Sequence, residues 1–99
     1  MSAYFVANIK VHDENEYRKY VGNVDSVFKK FNGQYLVVED NPEVLEGKWE
    51  STRFILIEFP DKESLKKWYY SPEYQEILKY RLAGADSDAI IVNKKHEKD

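Results

Sequence analysis

Thr52-Arg53-Phe54-Ile55-Leu56-Ile57-Glu58-Phe59 is the stretch whose reading decides the fold. β-Branched and aromatic residues fill it and Pro60 closes it, which predicts a strand. At a side-chain period of two, Ile55, Ile57 and Phe59 share one face, while Phe54 and Leu56 share the other with Glu58. A strand that is apolar on both sides belongs in the middle of a sheet. Tyr4 to Val11 has the same character: Phe5, Ala7, Ile9 and Val11 form one wholly apolar face, and Tyr4, Val6, Asn8 and Lys10 form the other.

Working outward, Asp13 offers an N-cap with Glu16 three residues on. Tyr17, Tyr20, Val21, Val24, Val27, Phe28 and Phe31 then follow at helical spacing, and Asn32-Gly33 stops the helix. Gln34 to Glu39 reads as another strand, joined to the Thr52 stretch by a long connection from Asp40 to Ser51. Leu65, Trp68 and Tyr69 mark a short helix. Ser71-Pro72-Glu73-Tyr74 begins a new one, because Ser71 is a capping residue and proline is favoured at a first helical position. Tyr74, Ile77, Leu78, Arg81 and Leu82 share its inner face, Gly84 ends it, and Asp88 to Asn93 supplies a last strand. The charged tail from Lys94 to Asp99 is expected to fray.

Strand, helix, strand, strand, helix, strand is the split βαβ order. It predicts an α+β, ferredoxin-like domain: a four-stranded antiparallel sheet, first and third strands central, with helices on one face. Ninety-nine residues suit one such domain, with a core from about residue 3 to 93. Because helices cover only one side, the second apolar face calls for a partner, and two sheets packed face to face would make a homodimeric α/β barrel.

Composition narrows the function classes. A formal charge of -3 with no dense basic stripe outside the tail argues against nucleic acid and anionic membranes as partners. The absence of cysteine removes disulfides and thiolate chemistry, and the start Met1-Ser2-Ala3-Tyr4 lacks a secretory pattern, so a cytoplasmic address is expected. No Gly-rich phosphate loop, nucleophile elbow or dinucleotide fingerprint is present, and His12 and His96 have no spaced ligand cluster, so neither cofactor nor metal is expected.

The combination of Val6-Ala7-Asn8-Ile9 with Asp13, Leu45-Glu46-Gly47, Arg53 with Glu58-Phe59-Pro60, Trp68-Tyr69, and Ser71-Pro72-Glu73-Tyr74 with Arg81 resembles the domain-of-unknown-function family thirteen-thirty, within the dimeric α/β-barrel superfamily. The likeness runs from about Tyr4 to Val92. Asp61, in place of a serine-type cap, and Lys79, in place of proline, depart from it without touching chemistry. The resemblance implies the fold and dimerisation but carries no assigned reaction; superfamily relatives include cofactor-independent monooxygenases and lactone isomerases.

Several residues break the core pattern. Asn8 sits mid-strand among apolar neighbours, so its amide must meet a cross-strand partner, a partner across the dimer or a ligand. Glu58 shares its face and serves either as a general base or in an ion pair with Lys10. Arg81, in register with core residues, requires an acidic partner such as Asp86, Asp88 or Glu58, or an anionic ligand group. Arg53, at a strand start, reads as reaching solvent or a nearby acid, and His12 as a surface or capping residue. The aromatics Tyr17, Tyr20, Trp68, Tyr69 and Tyr74 pack a core-facing surface and are also able to orient a planar molecule. The candidate ligand-binding set is therefore Asn8, Tyr20, Glu58, Trp68, Tyr74 and Arg81. Glu46-Gly47 and Trp49 in the long connection read as an arm reaching a second subunit, or as a lid. Two functions remain open: a cofactor-free enzyme of monooxygenase or isomerase type acting on a small organic molecule, and a non-catalytic structural or metabolite-binding dimer.

Overall fold

The computed structural model describes residues 1–95. Strands β1 (Ala3–Val11), β2 (Gln34–Asp40), β3 (Arg53–Phe59) and β4 (Ala85–Asn93) form one antiparallel sheet in the order β2-β3-β1-β4. Helices α1 (Glu14–Phe28), α2 (Lys62–Tyr69) and α3 (Pro72–Gly84) complete the split βαβ order, giving the ferredoxin-like fold with β1 and β3 central. Ala3, Phe5, Ala7 and Ile9 of β1 and Ile55, Ile57 and Phe59 of β3 are buried beneath the helices. The molecule is a slab, 42 × 38 × 16 Å in its principal extents, as a single helix layer on a single sheet requires. Among the described residues, no helix is long and apolar enough to cross a membrane.

The helix boundaries follow from side-chain chemistry. Asp13 Oδ1 accepts the Glu16 amide at 3.3 Å to start α1, and Asp61 Oδ1 accepts the Ser64 amide at 2.7 Å to start α2, so aspartate serves as the cap there. Between α2 and α3, Ser71 Oγ accepts the Tyr74 amide at 3.1 Å and donates to the Trp68 carbonyl at 2.8 Å, satisfying both helix ends with one hydroxyl. A 3₁₀ turn at Lys29–Phe31 ends α1 one turn earlier than its apolar spacing suggests, and Asn32 follows in the left-handed region at φ 63°.

Two elements differ from the sequence expectation. β4 begins at Ala85, three residues before Asp88, with no linker after α3. Its register against β1 runs from Val11↔Ala85 to Ala3↔Asn93, and the Lys94 amide donates to the Ser2 carbonyl at 2.9 Å, so the ladder continues one bond into the charged tail. His96 and the rest of that tail lie outside the described residues. In β2 the register shifts between Tyr35 and Val37, so Tyr35 opposes Ile57 and Val38 opposes Ile55, both on the helix side. Simple alternation would have sent Tyr35 and Val38 to opposite faces.

Gly84 sits where α3 crosses the start of α1. Its carbonyl accepts the amides of His12 at 2.9 Å and Asp13 at 3.0 Å, and a Cβ built there would lie 2.7 Å from the Tyr17 nitrogen and 2.9 Å from the Asp13 carbonyl oxygen. Gly22, mid-way along the exposed side of α1, has nothing within 4 Å of such a Cβ. Alanine substitutions should therefore have opposite signs in chemical denaturation. Gly84→Ala should destabilise by about 1–3 kcal/mol through overpacking, and Gly22→Ala should stabilise by roughly 0.5–1 kcal/mol through helix propensity.

Candidate functional site

The inner faces of α1 and α3 meet the sheet around a cavity of about 270 Å³. α1 contributes Tyr17, Tyr20, Val21, Val24 and Asp25; β1, Phe5 and Ile9; β2, Tyr35 and Val38. Arg53, Ile55 and Ile57 come from β3, and Arg81 from α3. Helical spacing places Tyr17, Tyr20 and Val24 on one side of α1, and the β2 bulge brings Tyr35 and Val38 to the same wall.

Arg81 is 2 % exposed. Its guanidinium carbon lies 5.6 Å from the Tyr20 ring centre and 5.8 Å from that of Phe5. Its Nε is buried without a hydrogen-bond partner, and among the described residues no carboxylate lies within ion-pair distance. The three acids that the sequence offered stand elsewhere. Asp88 opposes Asn8 and Glu58 opposes Tyr4 on the face of the sheet away from the helices, and Asp86 lies 3.7 Å from His12 Nε2 at the surface. Arg53, by contrast, has the nearby acid expected of it: Nη1 donates to Asp40 Oδ1 at 2.8 Å, while its guanidinium lies 5.8 Å from the Tyr17 ring and its own Nε is buried without a partner.

Behind the cavity wall, the hydroxyls of Tyr20 and Tyr74 share a 2.7 Å hydrogen bond, fully buried. Tyr74 stacks against Trp68 at a centroid distance of 4.2 Å, and Trp68 meets Phe5 edge-on at 5.1 Å. Burial pushes the Tyr20 hydroxyl well above the ordinary tyrosine range, and the neighbouring Tyr74 adds to the shift. Burial also raises Tyr74, to about 12, against the opposing pull of the Arg81 charge. Tyr17 is raised by burial too, with Arg53 and Arg81 pulling it back, and Tyr35 by burial together with Tyr20 and Asp25. The tyrosines of this site are neutral hydrogen-bonding groups at physiological pH.

Of the six residues singled out from sequence, Tyr20 and Arg81 line the cavity, Tyr74 stands one hydrogen bond behind it, and Trp68 packs in the core behind Tyr74. Asn8 and Glu58 lie on the other face of the sheet, opposite Phe54 and Tyr4 respectively, and at four residues apart along β1 they are separated by roughly 13 Å. The Lys10–Glu58 ion pair is also out of reach: Lys10 opposes Asp86, and Glu58 sits six residues further along the ladder, roughly 20 Å away. Asn8 Oδ1 is buried with no hydrogen-bond partner. Tyr35, Val38 and Asp25 were not singled out; period-two alternation marks Tyr35, whereas the bulge that turns Val38 inward leaves no mark in the residue pattern. Among the described residues, no cluster of three or more His, Asp or Glu side chains is placed to hold a metal ion.

The profile of a domain of unknown function, DUF1330, matches residues 2–95. The chain belongs to the DUF1330 family. No curated protein sequence matches this DUF1330 chain. Among solved structures it is similar to RPA0582, a protein of unknown function from Rhodopseudomonas palustris, with a TM-score of 0.77 at 17% identity over 96% of this chain and 83% of that one. It is also similar to SnoaB, a cofactor-independent oxygenase from Streptomyces nogalater, with a TM-score of 0.71 at 12% identity over 96% and 94% of the two chains. A dimeric ferredoxin-like protein of unknown function from Jannaschia sp. CCS1 gives 0.70 at 10% identity over 95% and 100%. At these identities the likeness is one of fold.

Two outcomes test the tyrosine pair. Tyr20→Phe should orphan the Tyr74 hydroxyl and cost about 1–3 kcal/mol, with much of the loss recovered in the Tyr20→Phe, Tyr74→Phe double variant. In alkaline solution the folded state keeps the Tyr74 proton up to about 12, whereas the unfolded chain loses it near 10, so stability present below pH 10 should fall as pH rises from 10 to 12. Denaturation curves across that range, read beside tyrosinate absorbance, check the sign.

Proposed function

We propose that this DUF1330 protein is a homodimeric, single-domain, cytoplasmic protein that binds a small organic molecule in the cavity between α1, α3 and the sheet. The observation that carries the reading is the cavity itself: about 270 Å³ of space between α1, α3 and the sheet, walled by three tyrosines, two arginines, Asp25 and apolar side chains. A few polar groups converging on an apolar concavity is the general form of a small-molecule site.

The homodimer rests on the other face of the sheet. Val6, Phe54, Leu56, Val37, Ile90 and Val92 stand there on four adjacent strands, and Ile90 is 57% exposed. The connection between β2 and β3 extends this surface. Trp49 approaches Phe54 at 6.4 Å, Val44 and Leu45 line a second hollow with Val37 and Phe54, and Leu45 is 91% exposed. In a face-to-face pair this apolar area leaves water, and a partner subunit would bring donors toward the buried, unpartnered Asn8 Oδ1. Asn8 and Glu58 thereby become interface residues in this reading.

Binding without bond chemistry is favoured over catalysis by the proton inventory. The cavity walls offer tyrosines held neutral, two guanidinium groups, and Asp25 as the one carboxylate among the lining residues, while Glu58 is on the far side of the sheet. A cofactor-independent oxygenation like that of SnoaB would have to draw its reactivity from the substrate.

Neutral probes and a face substitution test the two halves separately. Phenol, titrated into labelled protein, should shift amide resonances of Tyr17, Tyr20, Val24 and Ile55, and Val24→Phe should weaken that response; shifts centred on Trp49 or Tyr70 would sink the cavity reading. Light scattering should give twice the chain mass for the wild type and the chain mass for Leu56→Asp, and a Leu56→Asp variant that stays dimeric would remove the sheet interface.

A further inference from the structure

Given the cavity as a binding site, on which this inference rests, the charge on its wall selects the ligand. Four charged side chains line or border it: Arg53, Arg81, Asp25 and Asp40. Asp40 pairs with Arg53, and Asp25 is exposed and adds to the upward shift that burial gives the Tyr35 hydroxyl. Arg81 is left as the guanidinium with no counter-charge among the described residues, and it is the most deeply buried of the four. Among the described residues, the ring faces of Tyr20 and Phe5 are what stands against its guanidinium. A methionine would fill the same space between those rings without a desolvated charge, so packing does not account for an arginine here. A guanidinium that is only 2 % exposed, borders the cavity and has no carboxylate in reach among the described residues is the arrangement that a fork-shaped acceptor completes.

We propose that the cavity takes a small, planar organic anion, a monocyclic carboxylic acid in its ionised form, with the carboxylate on Arg81 and the ring among Tyr20, Tyr35, Val24 and Ile55. The volume, about 270 Å³, lies just below the range of roughly 300–1,000 Å³ that holds drug-sized ligands, which limits the body to one ring with short substituents. Tyr17, whose ring lies 5.8 Å from the Arg53 guanidinium, stands on the same wall with a hydroxyl that burial keeps protonated, and gives the ring's own polar substituent a partner. Arg53 already holds Asp40, so its role is to keep the potential of the wall positive and to leave Arg81 as the site of direct contact.

The test compares 4-hydroxybenzoate with its neutral isostere 4-hydroxybenzamide by titration calorimetry and by amide shifts on the wild-type protein. The acid should bind at least tenfold more tightly than the amide. Arg81→Met should abolish that preference, and the ligand-free variant should melt at or above the wild-type temperature, because an uncompensated cation has gone. Arg81→Lys, which keeps charge without the fork, should retain only part of the preference. Equal binding of acid and amide in the cavity would overturn the anion inference and leave the cavity reading standing. Shifts from neither probe at the cavity residues would remove both. The wild-type comparison needs no variant, so a misfolded Arg81→Met would not shield the inference.

Discussion

The carbonyl of Gly84 accepts two amides at once, those of His12 and Asp13, and through them it clamps the last turn of α3 onto the first turn of α1. The contact is possible only because no Cβ intervenes at either the Tyr17 nitrogen or the Asp13 oxygen. Much of the molecule depends on this closeness. Arg81 lies three residues before the glycine, one turn back along α3, and Tyr17 and Tyr20 lie one and two turns into α1, so one backbone contact sets the spacing of both helical cavity walls. The Tyr20–Tyr74 hydroxyl pair, further along the same helix seam, fixes the other end of that spacing.

Between these two fastenings the core changes character. Toward α2 it is dense with rings: Trp68, Tyr74, Phe59 and Phe5 interlock, and Trp68 and Tyr74 are wholly excluded from water. Toward the first half of α1 and strand β2 it opens into the cavity, where the side chains are tyrosines, valines and two arginines. A chain of this size gains stability mainly by burying apolar area, and leaving volume empty forgoes part of that gain. The slab thus joins an end dominated by ring packing to an end where a hollow is kept between helix and sheet.

The fold was legible because its signals are local and redundant. The alternation in Phe54 to Phe59, the capping pattern at Ser71-Pro72 and the two-sided apolar pattern of Tyr4 to Val11 each point to the ferredoxin-like order. The candidate site was legible only in its exceptions. Arg81 and Tyr20 announce themselves as a charge and a hydroxyl in a core register, but a one-dimensional pattern does not say on which side of a sheet two strands' residues end, relative to a helix. Asn8, Glu58 and Arg81 look alike in sequence as polar residues in apolar surroundings; strand parity sends the first two away from the helices and helix phase brings the third beneath them. Val38 escaped for a different reason, because one bulged residue in β2 inverts the parity of everything after it.

The junction after Gly84 has a mechanical meaning. α3 passes into β4 with no residue between them, so the helix has no slack at its C-terminal end. An axial displacement of α3 is then also a pull on the edge strand hydrogen-bonded along the whole of β1, and β4 carries Ile90 and Val92 on the sheet's outer surface. The wall that bears Arg81 and the face that bears those two residues are thus joined by continuous helix-to-strand backbone, with no loop between them to absorb a displacement.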